Sequence, residues 1–429
     1  MSLRWFMPLY TVLWHIGLPL AVLYLLWRGR RDPGYARHMP ERFGRYRARM
    51  TGAVWVHAVS LGEVRSAVPI VRALLARGVQ VVLTHFTPAG RREAERVFAA
   101  DIAAGQVAAV WVPVETGWAF AAFFRAFRPR AGLVMEVEHW PRMILSARRH
   151  GVPLFPCNAQ YPLRSFTRDR GGWRMQAIGC YAGALVKSDL QAERFRAAGL
   201  ARIAVTGETR FDQPVPPALV AAGQSVRAWL APARPVLAFA SVVEGEDDTY
   251  IRVIKDVRDK SQVLHEPPLI LYIPRRPERF DETATRLAEA GFRVARRGAL
   301  LSAAFRPQGA PPQIDVLLGD SLGEMYAYLA MADRVVVGGG FTPGSAHNII
   351  EPLALGKPVL TGPVTWSIEY PMEEARAAGV AIAVHDSAEM TRLLRGPDWT
   401  TPDRIAAFFA AHSGAAARTM AALDAFTRR

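Results

Sequence analysis

Ala53-Val-Trp-Val-His-Ala-Val-Ser-Leu-Gly-Glu63 passes from one regular pattern to another, and the rest of the chain repeats that passage. Ala53 to Ala58 is short and apolar, as in a strand covered on both faces. A loop follows, and a helical pattern runs from about Glu63 to Arg77. Val79 to Thr84 is the next strand, and Pro88 opens another helix. Val107 to Val112, Gly132 to Glu136 and Val152 to Asn158 continue the alternation. Strands separated by helices in this way predict a doubly wound parallel sheet. A second series starts near Pro235, with strands at Val236–Ala240, Leu269–Ile273, Arg293–Ala295, Val316–Leu318, Arg334–Val337 and Val359–Leu360. Residues 211–235, with Pro214, Pro216, Pro217 and Pro232, read as the linker between two α/β domains, 31–210 and 236–390. Such sheets bind ligands at their carboxyl edges, and two of them in tandem are expected to face each other across a cleft.

A chain of 429 residues suits two such domains. It is 51% hydrophobic and 21% charged, the composition of a folded protein. The formal charge of +15 comes mainly from arginine, which suits phosphate- or carboxylate-bearing partners. No basic stretch interleaved with aromatics stands out, so nucleic acid is not expected as a partner. Cys157 and Cys180 stand in no metal-ligand spacing, which argues against a disulfide scaffold or structural zinc.

Residues 1–30 form a membrane anchor in this reading. Trp5 to Trp27 carries no formally charged residue, and its aromatics lie towards its ends. Arg28, Arg30, Arg31, Arg37, Arg42, Arg45, Arg47 and Arg49 follow, which by the positive-inside rule keeps the remainder cytoplasmic. A cleaved signal peptide is disfavoured, because no A-x-A-like site precedes the basic cluster. A helix that spans the bilayer and one that lies in its surface both fit the pattern.

Polar clusters fall where the strands end. Ser60, Gly62 and Glu63 either present free backbone N–H groups to an anion or simply cap a helix. Glu136 and Glu138 could bind hydroxyls or pair with arginine. Val337-Gly-Gly-Gly340 runs through Ser345 and His347-Asn348 to Glu351-Pro352, a glycine turn entering a helix that could hold a phosphate and a ribose diol. Pro274-Arg275-Arg276-Pro277-Glu278-Arg279-Phe280 places guanidinium groups at another strand end.

In these clusters the chain resembles the 3-deoxy-D-manno-octulosonic acid (Kdo) transferase family. The resemblance also rests on Glu41-Arg-Phe-Gly44, Asn158-Ala159, Arg164-Ser165, Gly207-Glu-Thr-Arg-Phe-Asp212 and Ala240-Ser-Val-Val-Glu-Gly-Glu246, in order along nearly the whole chain. It implies a GT-B fold of two Rossmann-like domains, with 31–210 receiving the acceptor and 236–390 the nucleotide sugar. Residues 391–429 would be helices packing back on the first domain. It further implies inverting transfer of Kdo from CMP-Kdo to a lipid A precursor at the inner membrane, with no cofactor and no metal. The absence of a D-x-D motif agrees, since it disfavours the metal-dependent class. Glu41 would be the general base, although the residues alone allow it simply to pair with nearby arginines. Ser241, Glu244, Arg275, Gly339, Asn348 and Glu351 would hold the CMP-sugar. Ser60, Gly62, Glu63, Glu138 and Arg164 would meet the acceptor.

The chain departs from the family pattern at Gln160–Leu163, Val243, Arg276 and Gly340–Ala346. Each altered polar contact changes specificity by ~1–3 kcal/mol, so a paralogue with another acceptor or sugar is an alternative. A nucleotide-sugar epimerase of similar fold and a non-catalytic binding homologue are the others. An anchor helix argues against the soluble epimerases, and indifference to Glu41→Gln would mark the binding homologue.

Overall fold

The computed structural model describes residues 1–136, 138–259 and 266–428. They divide into two compact units, Met1–Gln213 with Ser413–Arg429, and Pro214–His412. In the first unit β1 (Val54–His57), β2 (Val81–His85), β3 (Val107–Trp111), β4 (Ala131–Met135) and β5 (Leu154–Cys157) form a parallel sheet in the order β3-β2-β1-β4-β5. Nearly every strand residue is buried, because helices cover both faces. Trp55, Phe120, Phe123 and Phe127 fill one side of this sheet, and Ile70, Val71, Leu74 and Phe98 the other.

β2 begins at Val81 rather than Val79. Gly78 adopts φ +70°, and the Val79 N–H still donates to Leu74 O, closing the preceding helix. A two-stranded parallel pair, β6 (Ala184–Val186) and β7 (Ile203–Val205), was not anticipated from the sequence.

The second unit holds β8 (Val236–Val242), β9 (Leu269–Pro274), β10 (Val294–Arg296), β11 (Val316–Leu318), β12 (Arg334–Val337), β13 (Val359–Thr361) and β14 (Ala381–Ala383). Their order is β10-β11-β9-β8-β12-β13-β14, again all parallel. β14 is the further strand that the sequence pattern missed.

Within 211–235 the chain is helical over Pro217–Leu230, and from Pro214 on it belongs to the second unit. The prolines start that helix, as proline at a first turn does. Gly223 lets it lie against the helix Met325–Met331, where an added Cβ would come 2.1 Å from Ala327 O. Residues 391–429 are shared: Pro402–His412 is a helix of the second unit, and Ala415–Thr427 one of the first. Asp212 holds the latter in place, accepting from Gly414 N (2.5 Å) and Ala416 N (2.6 Å) at its start.

In both sheets the strand order reverses beside the first strand, between β1 and β4 and between β8 and β12. Those are the switch points at which such folds bind ligands.

Candidate active site

In the first unit α2 (Met39–Arg42) lies against β3, the edge strand of its sheet. The outward N–H of Trp111 has no strand neighbour and donates instead to the Glu41 carboxylate at 2.9 Å. Arg91, in α4 (Pro88–Val97), donates to the same oxygen at 2.7 Å. His38 Nδ1 is 4.0 Å away. Arg42 is buried, its guanidinium 4.1 Å from the Trp111 ring centroid and donating to Phe86 O. Burial, with the Arg91 charge, lowers Arg42 to about 10, leaving it a cation at neutral pH. Glu41 thus does pair with an arginine, although with Arg91 rather than with the basic run after residue 27. Its neighbours His38, Arg91 and Trp111 line a cavity of about 240 Å³ that Arg37 and Arg92 also border.

Ser60 and Glu63 form a reciprocal capping box at the start of α3 (Leu61–Ala76): Ser60 Oγ accepts from Glu63 N, and the Glu63 carboxyl accepts from Ser60 N and, at 2.6 Å, from Val59 N. Gly62 faces open space. Glu63 is 7% exposed, and burial followed by the charges of Glu138 and Glu136 pushes its carboxyl up to about 8. It is therefore a protonated acid at neutral pH.

Glu136, at the end of β4, has φ +56°, a left-handed conformation rare outside glycine. It accepts from Arg210 (2.6 Å) and from Ser66 (3.1 Å). The Glu138 carboxylate accepts from the Trp140 indole at 2.6 Å. The loop Val59–Ser60 also meets the first turn of α4, where Thr87 donates to Val59 O and Gly90 lies against Ser60. Glu41 and the Ser60 loop are thereby brought to the same helix start. Arg164 sits exposed on the helix Leu163–Asp169 and, among the described residues, shares no hydrogen bond with this group.

In the second unit the glycine turn after β12 folds over a carboxylate. Glu246, fully buried, accepts from Gly339 N (2.7 Å), Phe341 N (3.2 Å), Val243 N (3.2 Å) and the Tyr250 hydroxyl (2.9 Å). Gly338 has to be glycine, since a Cβ there would lie 2.6 Å from Ser241 O. Gly339 has φ +93°, and Ser241 itself has φ +59°. Such conformations collect at functional sites. Glu244, two residues before Glu246, is exposed.

Arg275, also exposed, follows β9 close enough to His347 to act on its charge. Burial first, and then that guanidinium, lower His347 to about 4, so its ring is neutral at pH 7. His347 Nε2 is buried without a hydrogen-bond partner. Asn348 accepts from Ile350 N at 3.0 Å and so starts a helix of only five residues. Glu351 is half-buried in its first turn. Arg279 serves the interior, pairing with Asp247, whose other oxygen accepts from Tyr272.

Sequence reading gave no site role of their own to Arg42, Arg91, Glu246 or His347. All but Arg91 stand in motifs already quoted, and an acid flanking a glycine-rich turn is a usable signal. Arg91 had none, lying fifty residues from Glu41. Of the departures, Tyr161 is a core residue, its hydroxyl near Asp169, whereas Arg276 is exposed.

Residues 37–213 match the family model described as 3-deoxy-D-manno-octulosonic-acid transferase (kdotransferase). A 3-deoxy-D-manno-octulosonic acid transferase of Bordetella pertussis is 41% identical over 423 residues, 95% of this chain and 96% of that protein. One from Haemophilus influenzae is 28% identical over 83% of this chain and 82% of its own length. Among solved structures, a UDP-GlcNAc 2-epimerase of Neisseria meningitidis superposes with TM-score 0.56 at 14% identity, over 86% of this chain and 99% of that one. A glycosyltransferase of Rickettsia africae gives TM-score 0.56 at 10% identity, over 89% and 98%. The fold is thus the GT-B arrangement of two Rossmann-like domains, which transferases and epimerases share. Close kinship over nearly the full length makes the narrower assignment: the chain belongs to the 3-deoxy-D-manno-octulosonic acid transferase family of glycosyltransferases.

Proposed function

We propose that the protein transfers Kdo from CMP-Kdo to a hydroxyl of a lipid A precursor, in lipopolysaccharide biosynthesis at the cytoplasmic face of the inner membrane. The observation that carries this is the 41% identity to a Kdo transferase across both units, because the fold alone is common to epimerases as well. The carboxyl edge of the second sheet takes the donor. The Arg275 guanidinium and Asn348 face its phosphate, Glu351 its ribose, and Gly339, Ser241 and Glu244 shape the turn beside it.

The acceptor meets the first unit at Ser60, Gly62, Glu63, Glu138 and Arg164. A lipid acceptor is supported by an apolar cavity of about 420 Å³ beside the N-terminal helix. Tyr10, Trp14, Leu25, Phe86 and Trp140 line it, and Arg42 stands in its wall. Glu41 takes the proton of the acceptor hydroxyl as that oxygen attacks the anomeric carbon. The bond to the CMP phosphate breaks, and CMP leaves with the electron pair, inverting the configuration without a metal. Arg91 and the Trp111 N–H orient the carboxylate for this.

The test is transfer by the detergent-solubilised protein from CMP-Kdo to a tetraacylated lipid A precursor, with products read by mass. A Kdo increment that Glu41→Gln abolishes while CMP-Kdo still binds supports the assignment, and the number of increments counts the sugars added. Binding without transfer in the wild type favours the second reading, an altered acceptor or acidic sugar, which the departures at 160–163, 243, 276 and 340–346 motivate. No binding of CMP-Kdo would refute the donor.

A further inference from the structure

The N-terminal helix α1 (Leu3–Gly29) has 27 residues and at 1.5 Å per residue is about 40 Å long. It lies along the first unit and is fastened to it at intervals. Leu3 N donates to the Gln176 side chain at 2.8 Å. Phe6 stacks on Trp173 with ring centroids 3.7 Å apart. The Tyr10 hydroxyl donates to Glu115 at 3.0 Å, and Arg142 donates to the Thr11 hydroxyl. Leu25 is buried, and the Arg28 guanidinium lies 4.3 Å over the Tyr35 ring. These positions share one helical face. The opposite face is a continuous apolar row, with Trp5, Ile16, Leu20 and Leu23 exposed at 71, 69, 69 and 61%.

A helix crossing a ~30 Å hydrocarbon core must be clear of polar protein over that length. Here Glu115 and Arg142 meet α1 at Tyr10 and Thr11, and Gln176 meets it at Leu3. Arg4 and Arg174 stand at one end of α1, and Arg28, Arg30 and Arg31 at the other.

We infer that α1 does not span the bilayer but lies in its surface, inserting its outer apolar row into one leaflet while its inner face stays fastened to the first unit. The partner is a lipid surface bearing anionic headgroups, which the arginines at both ends meet. The inference rests on the membrane association proposed above and specifies its geometry.

Single cysteines at consecutive positions from Leu9 to Leu23 of the full chain, in a Cys180→Ser background, would carry an environment-sensitive fluorophore. The proteins are bound to vesicles of phosphatidylethanolamine and phosphatidylglycerol containing lipids quenched at known depths. Quenching that oscillates with a period near 3.6 residues, strongest at Leu9, Ile16 and Leu20 and weak at Ala21, supports an in-plane helix. A depth that changes steadily along the helix through the bilayer centre overturns it. Failure to float with vesicles refutes the membrane association itself and the inference with it. In cells, Ser2→Cys stays closed to an impermeant thiol reagent added outside; labelling there would show that the helix crosses.

Discussion

Replacing Glu246 with alanine removes one acceptor from four donors at once: the N–H groups of Gly339, Phe341 and Val243, and the Tyr250 hydroxyl. The site is fully buried, and each stranded donor costs ~1–3 kcal/mol. The short bonds to Gly339 N (2.7 Å) and Tyr250 (2.9 Å) carry most of that. The two at 3.2 Å are weaker, and water entering the space left by the side chain would meet them in part. Together they put the loss at roughly 3–5 kcal/mol. For a unit of this size each kcal/mol lowers Tm by ~2–4 °C, so a fall of about 6–20 °C follows. Glu246→Gln keeps one acceptor oxygen and turns an NH₂ towards the other donors, and should lose about half as much. Calorimetry resolves the unfolding of the second unit, and titration with CMP reads the turn itself. CMP affinity should fall at least about tenfold in Glu246→Ala, since the glycine turn that leads to Asn348 and Glu351 is no longer held. An unchanged Tm, or an unchanged CMP affinity in a variant that remains folded, would refute the assignment of Glu246 as the support of the nucleotide turn.

Three further outcomes follow from the first unit. The Glu63 carboxyl is raised from 4.5 to about 8, so the folded state binds more protons than the unfolded one between those values, and its stabilisation is lost as pH rises through that window. Urea midpoints measured from pH 5 to 9 should therefore fall less steeply with pH in Glu63→Gln than in the wild type; parallel profiles would contradict this. Lys187 and Glu208, both buried, pair at 2.7 Å; burial alone would raise Glu208, but Lys187 and Arg210 outweigh it and hold it down at about 2. Lys187→Met strands that carboxylate and should cost ~3–5 kcal/mol, with Glu208→Gln added to it restoring part, as a double-mutant cycle in urea would measure. Asp212→Ala removes the acceptor for Gly414 N and Ala416 N and should cost ~1 kcal/mol, seen as faster hydrogen exchange confined to Ala415–Thr427.

The strands were legible because parallel sheets covered on both faces make short continuous apolar runs. Val54–His57 and Val236–Val242 could be placed within a residue or two. Three residues are at the limit of what such a run shows: Val316–Leu318 was read, and the strands at 184–186, 203–205 and 381–383 were not. Of the candidate site, the motifs at Ser60–Glu63 and Gly338–Glu351 could be read locally. A glycine at positive φ and a capping box are properties of a few consecutive residues.

The sequence by itself determined the two α/β units, the switch-point loops and the apolar helix at residues 3–29, because each follows from local period or turn chemistry. Only the tertiary structure decided which charges are buried and what meets them. Arg91 reaches Glu41 from fifty residues away, and Glu246 rather than Glu244 supports the glycine turn. It also decided that α1 lies along the first unit with its apolar row outward. The environment of a charge depends on atoms distant in the chain, and one pattern of apolar residues serves equally for a helix that crosses a bilayer and one that rests on it.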